Sequence, residues 1–276
     1  KINIGLRVVG RRSDGFHDIE TFFQQIDLYD ELQYTATMDG RLELTTNDPH
    51  CPANADNLVL RAARALKNAA GTAVAGCRIH LDKKIPIGAG LGGGSSDAAA
   101  TLTTLNELWQ CGLGIDDLTA IAGDLGSDVA FFLQGGFAFG SGRGERLKKL
   151  SYQAPYFGLL IFPGIFISTK SVYEKLNLNL TISNKMSKFS VFGDHFPDYD
   201  EWQSTFINDL ESAVFPDHPV LSEIKERLFS EDAFYAAMSG SGSTMFGLYR
   251  HEREAQSALK MISPLFRAQL FRPIYT

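Results

Sequence analysis

The stretch PIGAGLGGGSSDAAA, Pro86 to Ala100, places five glycines and two serines between a strand-like run, Cys77 to Leu81, and an alanine- and leucine-rich run that reads as a helix, Ser95 to Trp109. Glycine has no Cβ, so successive backbone N–H groups can approach anionic oxygens closely. The following helix adds unpaired donors and roughly half a positive charge at its N-terminus. Ser95 and Ser96 can add hydroxyl donors or cap the helix. A flexible loop with a serine cap is the bland alternative. Density argues against it: five glycines within residues 88–94 are costly to order, and backbone access to a phosphate is what would justify them.

Gly88, Gly90 and Gly93 also satisfy G-x-G-x-x-G, the pattern of dinucleotide-binding oxidoreductases. That fingerprint follows its strand directly and needs an acidic residue ending the next strand about 20 residues on. Here Lys83 to Pro86 intervene, and the corresponding region, Gly112 to Asp117, is a loop entering a helix, so the context is poor. Walker A is excluded because the chain contains no Gly-Lys dipeptide.

Upstream of the loop the chain is β-rich. Ile2, Ile4, Leu6 and Val8 alternate with Asn3, Gly5 and Arg7, the period of a half-buried strand that would put Asn3 and Arg7 on one face with Lys1. RRSDG at 11–15 is turn chemistry, and strand-like runs follow at Ile19 to Leu28 and Arg41 to Thr46. Asp56 and Asn57 precede LVLRAARALKNAA, whose apolar residues recur at helical spacing up to Gly71. Past the loop, a helix is expected over Ile115 to Leu125 and a hairpin over Phe137 to Lys149. A strongly apolar strand, Phe157 to Phe162, follows a lobe boundary expected near residue 152. Further helices are expected at Ser171 to Leu176, Asp200 to Val214, Pro219 to Phe229 and Glu252 to Leu265, with strands at Phe234 to Ala237 and Met245 to Tyr249. Ser183 to Asp198 is the least patterned stretch. The class is α+β in two lobes, 1–152 and 153–276.

Composition narrows the function classes. An apolar fraction of 44% and a charged fraction of 21% are those of a folded globular chain. A net charge of -6 leaves no broad footprint for nucleic acid, and Arg7, Arg11 and Arg12, or Lys83 and Lys84, read most simply as solvated surface. No apolar run approaches a membrane span. Cys51, Cys77 and Cys111 are odd in number and lack CxxC spacing, which points to a reducing cytoplasm. The chain opens at Lys1 in what reads as a strand already under way, so a few upstream residues are expected.

With P-x-G-x-G-L-G-G-G-S-S in place, the chain resembles the GHMP kinases, whose second motif is a P-x-x-x-G-L-G/S-S-S loop around the ATP phosphates. MSGSGST at 238–244 resembles their C-terminal glycine-rich motif, and Lys1-Ile2-Asn3 resembles their first. The triple glycine before Ser-Ser-Asp, and above all the opening KINIGLRVVGRRSDGFHDIETFFQQIDLYD, resemble those members that act on a cytidine diphosphate-linked polyol in isoprenoid-precursor synthesis. ADNLV at 55–59, GSDVAFF at 126–132, PG with ST across 163–169, and NDLE at 208–211 extend the likeness through most of the chain. The resemblance implies a GHMP kinase fold, with an N-terminal lobe like the second domain of ribosomal protein S5 and a ferredoxin-like C-terminal lobe.

The resemblance also implies roles. The γ-phosphoryl group of ATP would pass to a tertiary hydroxyl of the polyol, with Asp128 as the base and Lys1 as the cation beside it. Gly88, Gly90, Gly92, Gly93, Gly94, Ser95 and Ser96, with Pro86, would surround the phosphates, and Asn57, Leu58 and Lys83 would face adenosine. Phe16 and Tyr173 would stack on the cytosine, His17 would hydrogen-bond it, and Asn3 and Thr169 would make polar contacts to the acceptor. Relatives often have tyrosine where this chain has Phe16, so a hydroxyl contact is lost there. Mg2+ is implied by the chemistry, with no protein ligand matched. Outside the resemblance, Asp128 reads as a turn or cap residue, and Phe16 and Tyr173 as packing residues. The rivals are a GHMP kinase for homoserine, mevalonate or a sugar, and a silent nucleotide-binding module. The GFH segment with Tyr173 argues against the first, and Lys1 with Asp128 against the second.

Overall fold

The computed structural model describes residues 1–71, 76–153, 155–177, 189, 192 and 196–275. The first half runs β1 (Ile2–Arg11), β2 (His17–Gln24), β3 (Glu31–Thr37), β4 (Leu42–Thr46), α1 (Leu58–Ala70), β5 (Gly76–Asp82), α2 (Gly93–Leu108), α3 (Ile115–Leu125), α4 (Val129–Gln134), β6 (Phe137–Ser141) and β7 (Arg146–Lys149). The second runs β8 (Phe157–Phe162), α5 (Thr169–Asn177), α6 (Tyr199–Thr205), α7 (Glu211–Val214), α8 (Pro219–Ser230), β9 (Tyr235–Met238), β10 (Met245–Tyr249), α9 (Glu252–Ile262) and β11 (Arg267–Phe271). The mixed helix and strand content is that of the expected α+β class. Most of the expected segment Ser183 to Asp198 lies outside the described residues.

Two compact units emerge, and neither is a single stretch of chain. One comprises Lys1–Asp27, Gly88–Leu91 and Gly135–Thr276; the other comprises Leu28–Ile87 and Gly92–Gln134. The boundary expected near residue 152 falls inside the first unit.

In the second unit, β5 is the middle strand of a three-stranded sheet, antiparallel to β3 and parallel to β4. Helix α1 forms where the sequence places it. The Asn57 side chain accepts from Val59 N (2.9 Å), a cap worth about 1 kcal/mol, and Gly71 closes the helix in the left-handed region at φ 65°. Val59, Ala62, Ala63 and Leu66, one stripe at helical spacing, are fully buried. Helix α1 packs on α2, and α2 on α4.

The first unit holds two four-stranded sheets. β1-β2-β6-β7 is antiparallel throughout. The other has the order β11-β8-β10-β9, also antiparallel, which is the split arrangement of a ferredoxin-like layer. Leu159 and Ile161 of β8 and Met245 of β10 are fully buried, in a core shared with Leu221 and Leu228 of α8 and Ala255 and Ala258 of α9. The N-terminal hairpin is tied to the later chain: Leu6 N donates to Ile207 O (3.0 Å) and Asp209 N to Leu6 O (2.8 Å).

Four expectations need correction. β1 does not keep period two, because a bulge intervenes at Gly5, φ 65°, between the pairs Ile4↔Phe22 and Leu6↔Thr21. The extra residue turns Arg7, paired with Glu20, to the face opposite Asn3, paired with Phe23; Arg7 instead meets Asp209 at 3.2 Å. The helix expected over Asp200 to Val214 is broken into α6 and α7. Between them the backbone of residues 207 and 209 bonds to β1, and Asn208 turns its side chain to other loops. The expected strand Ile19 to Leu28 ends at Gln24, and the helix expected to Leu265 ends at Ile262.

Candidate active site

Within the first unit, the start of β1 meets the front of the glycine loop. Lys1 is 6% exposed; its ammonium donates to Asn3 Oδ1 (2.7 Å) and Gly90 O (3.1 Å), and it lies 5.4 Å from the centroid of the Phe23 ring. Asn3 Nδ2 donates to Thr21 Oγ1 (3.1 Å), which donates to Gly5 O (2.6 Å), so Lys1 belongs to a buried chain of hydrogen bonds. Gly90 O also accepts from Ser239 Oγ (3.0 Å), and Thr244 N donates to Ala89 O (3.3 Å), joining the MSGSGST segment to the same loop. A Cβ at Gly90 would stand 2.1 Å from Ser239 O, and φ there is 78°. Glycine is required at this position by packing, independently of any ligand.

The expected acceptor residues also belong to this unit. His17, 7% exposed at the start of β2, stacks on Tyr173 of α5 with ring centroids 5.0 Å apart. Phe16 is 54% exposed, and the Arg143 guanidinium lies 5.1 Å from its ring centroid. Thr169, the first residue of α5, shares a hydrogen bond with Ser241 of the MSGSGST segment (2.7 Å).

Within the second unit, α2 begins at Gly93 after Gly92, φ 71°, with no side-chain cap and no acidic residue in its first turn. The first intrahelical bond is Ser96 N to Gly92 O (2.9 Å), so the N–H groups of Gly93, Gly94 and Ser95 precede the ladder and suit an anion. Gly94 is exposed, and Ser95 and Ser96 are half-buried. Pro86, half-buried, leads into the loop. Asn57 is committed to capping: its amide donates to Pro52 O (2.6 Å) as its oxygen caps α1. Leu58 follows as the first residue of that helix. Asp128, half-buried, directly precedes α4.

Lys83 points inward. Its ammonium meets Asp30 Oδ2 (2.5 Å) and Asp97 Oδ2 (3.0 Å), and the three side chains are 4%, 1% and 3% exposed. Burial pushes the Asp97 carboxyl up to about 7, with Lys83 opposing and Asp30 reinforcing the shift. Burial alone would lower the Lys83 ammonium, but the two carboxylates outweigh it and raise it.

Comparison with known proteins gives these residues a family. The GHMP kinases N terminal domain matches residues 57–136, and the GHMP kinases C terminal domain matches residues 198–266. The chain belongs to the GHMP kinase family. A 4-diphosphocytidyl-2-C-methyl-D-erythritol kinase of Chlorobium phaeobacteroides is 40% identical over 281 residues, 100% of this chain and 96% of that one. The enzyme of that name from Prosthecochloris aestuarii is 38% identical over 282 residues, 98% and 93% of the two chains. A crystal structure of 4-(cytidine 5'-diphospho)-2C-methyl-D-erythritol kinase superposes with a TM-score of 0.77 at 35% identity, across 98% of this chain and 95% of that one. The fold is therefore that of a GHMP kinase.

Several residues around these GHMP kinase motifs were missed in the sequence. Asp30 and Asp97 carry no isolated signal, since a single carboxylate is normally a surface group. Asn208, 2% exposed, donates to Met238 O and Gly240 O (2.8 Å each) and so holds the MSGSGST segment; its place in the matched NDLE was the available hint. Arg143 sits in a Gly-Arg-Gly turn, which reads as hairpin chemistry alone.

Proposed function

We propose that this chain transfers the γ-phosphoryl group of ATP to the tertiary 2-hydroxyl of 4-diphosphocytidyl-2-C-methyl-D-erythritol, in the non-mevalonate route to isoprenoid precursors. The observation that carries this reading is full-length identity of 38–40% to kinases of that substrate. In the transfer, the bond from the γ-phosphorus to the bridging oxygen of ATP breaks, a bond to the acceptor oxygen forms, and ADP leaves. We assign the hydroxyl proton to the Asp128 carboxylate. Lys1, held by Asn3 and Gly90, would supply positive charge where the alkoxide develops.

The phosphates would lie on the uncapped N-terminus of α2, with glycines 88–94, Ser95 and Ser96 around them. Asn57 and Leu58 at the start of α1 are our candidates for the adenosine side, and Phe16, His17, Tyr173, Asn3 and Thr169 for the acceptor. Mg2+ at phosphoryl-transfer sites is held by substrate phosphates, several waters and one or two carboxylates. Among the described residues no group of three or more His, Cys, Asp or Glu side chains could hold a metal, a donor set that fits an ion carried in by the nucleotide. When bound it would neutralise charge on the β- and γ-phosphates. The partners are small molecules, with neither nucleic acid nor a membrane among them. Among the described residues no helix is long and apolar enough to cross a bilayer. We place the reaction in the cytoplasm and a lobe boundary near residue 152, between the two matched family domains.

The test is ADP release by the purified chain with Mg-ATP and, in turn, the cytidine diphosphate polyol, homoserine, mevalonate and a hexose. Turnover with the first alone is expected. Turnover with another acceptor, or with none, overturns the assignment.

A further inference from the structure

The glycine loop is entered through residues 83–85 and left through α2, and one buried cluster ties both stems. Asp30 Oδ1 accepts from the backbone N–H groups of Lys84 (2.6 Å) and Ile85 (2.8 Å), while its other oxygen meets Lys83. Lys83 in turn reaches Asp97, in the second turn of α2. A Cβ at Gly93 would lie 3.1 Å from the Lys83 ammonium, so the cluster abuts the first residue of the helix.

We propose that Asp97 is a positioning residue for the nucleotide: through Lys83 it clasps the two stems of the glycine loop, and its charge sets how readily the N-terminus of α2 accepts anionic phosphates. The inference rests on the ATP-binding reading above. It also gives Lys83 a role inside the protein in place of the expected adenosine contact.

Two carboxylates and one ammonium leave a net negative charge when Asp97 is ionised, which offsets the positive end of the helix. With Asp97 protonated the cluster is neutral. Burial holds Asp97 up near 7, so both states occur close to neutral pH. The charges of this cluster act in turn on the nearby ionisable groups Tyr34 of β3 and Cys51. α4 carries no charged residue, and the charged residues of α3 are exposed. On α1, Arg61 and Arg64 are exposed, and Lys67 donates to Gly40 O. The phosphates therefore bind the protonated form better, and by linkage ATP binding draws a proton onto Asp97.

Asp97→Asn removes the charge and keeps the shape. At about pH 8 it is expected to lower KM for ATP about five-fold, to flatten the dependence of that KM on pH down to about pH 6, and to leave KM for the acceptor unmoved. ATP's own titration is common to both proteins and cancels. Superimposable pH profiles overturn the proposal, as does a shift confined to the acceptor. A second measurement compares the two proteins: calorimetry of ATP binding at about pH 7.5, in buffers of different ionisation enthalpy, should show more net proton uptake by the parent than by Asp97→Asn. Equal proton uptake by the two overturns the inference alone, whereas failure of ATP to bind the parent sinks the kinase reading itself.

Discussion

The imidazole of His17 stacks on the ring of Tyr173, with centroids 5.0 Å apart and planes 23° from parallel. One face of Tyr173 is therefore taken by His17, and the tyrosine orients the imidazole. A stacked ring alone cannot discriminate bases, because every base has a π-face; discrimination needs hydrogen bonds to the base edge. Tyr173→Ala is thus expected to act as His17→Ala does, narrowing the preference for the cytidine over the uridine diphosphate acceptor. Phe16→Ala should weaken both alike, by roughly 1–3 kcal/mol. The measurement is kcat/KM for both acceptors in each variant. An undiminished cytidine preference in Tyr173→Ala would show that the stack does not position a base reader.

Asp128 directly precedes α4, and we propose it as the base that takes the hydroxyl proton. Asp128→Asn keeps the shape and loses the proton acceptor. Turnover should fall by about 10² or more with ATP affinity nearly intact. Single-turnover kinetics with nucleotide titration separate the two effects, and a loss of only a few-fold would remove Asp128 from the role of base.

The glycines of the loop divide by what surrounds them. Gly90 combines φ 78° with a Cβ position 2.1 Å from Ser239 O, so Gly90→Ala should cost about 2 kcal/mol or more of stability. Gly94 is exposed and its Cβ would make an ordinary contact, 3.5 Å from Leu58 Cδ1. Gly94→Ala should unfold within about 0.5 kcal/mol of the parent yet raise KM for ATP, because the added methyl would enter the proposed phosphate cradle. Gly93→Val is the less clean probe, since a Cβ there already crowds Ile85 Cγ2 at 2.9 Å. Equal stability of Gly90→Ala and parent in urea unfolding would contradict the packing argument.

Asp97 also makes stability depend on pH. Its folded-state carboxyl is raised from 3.8 to about 7, so between those values the native protein holds a proton that the unfolded chain has released. This contribution to stability is present in full below the unfolded value and is lost as pH rises toward 7. Melting temperatures of parent and Asp97→Asn should therefore diverge between about pH 5 and pH 7.5, with the parent losing more. Parallel curves would place Asp97 outside the titration.

Much of this was legible locally. Asn57 as a cap, the stripe of Val59, Ala62, Ala63 and Leu66, and Gly71 as a stop lie within one helix and announce it. The dense glycines before α2 announce backbone access in the same way. β3 and β11 were overlooked although Leu32, Tyr34 and Ala36, and Ala268 and Leu270, alternate with polar residues; both runs are short and have few strongly apolar residues.

By itself the sequence determined the family and the α+β class, and it pointed to the glycine loop as the proposed place for phosphate, because glycine content, helical spacing and contiguous motifs are properties of neighbouring residues. Tertiary structure alone decided how several of those residues are spent. Lys83 turns toward Asp30 and Asp97, 53 and 14 positions away. Gly90 is a glycine because Ser239, 149 positions on, packs against it. Arg7 changes face because a bulge at Gly5 shifts the pairing of β1 with β2. The physical reason is common to all three: a side chain's partner is set by which distant backbone lies beside it, and that proximity is encoded in pairing and packing across the fold, where no local pattern reaches.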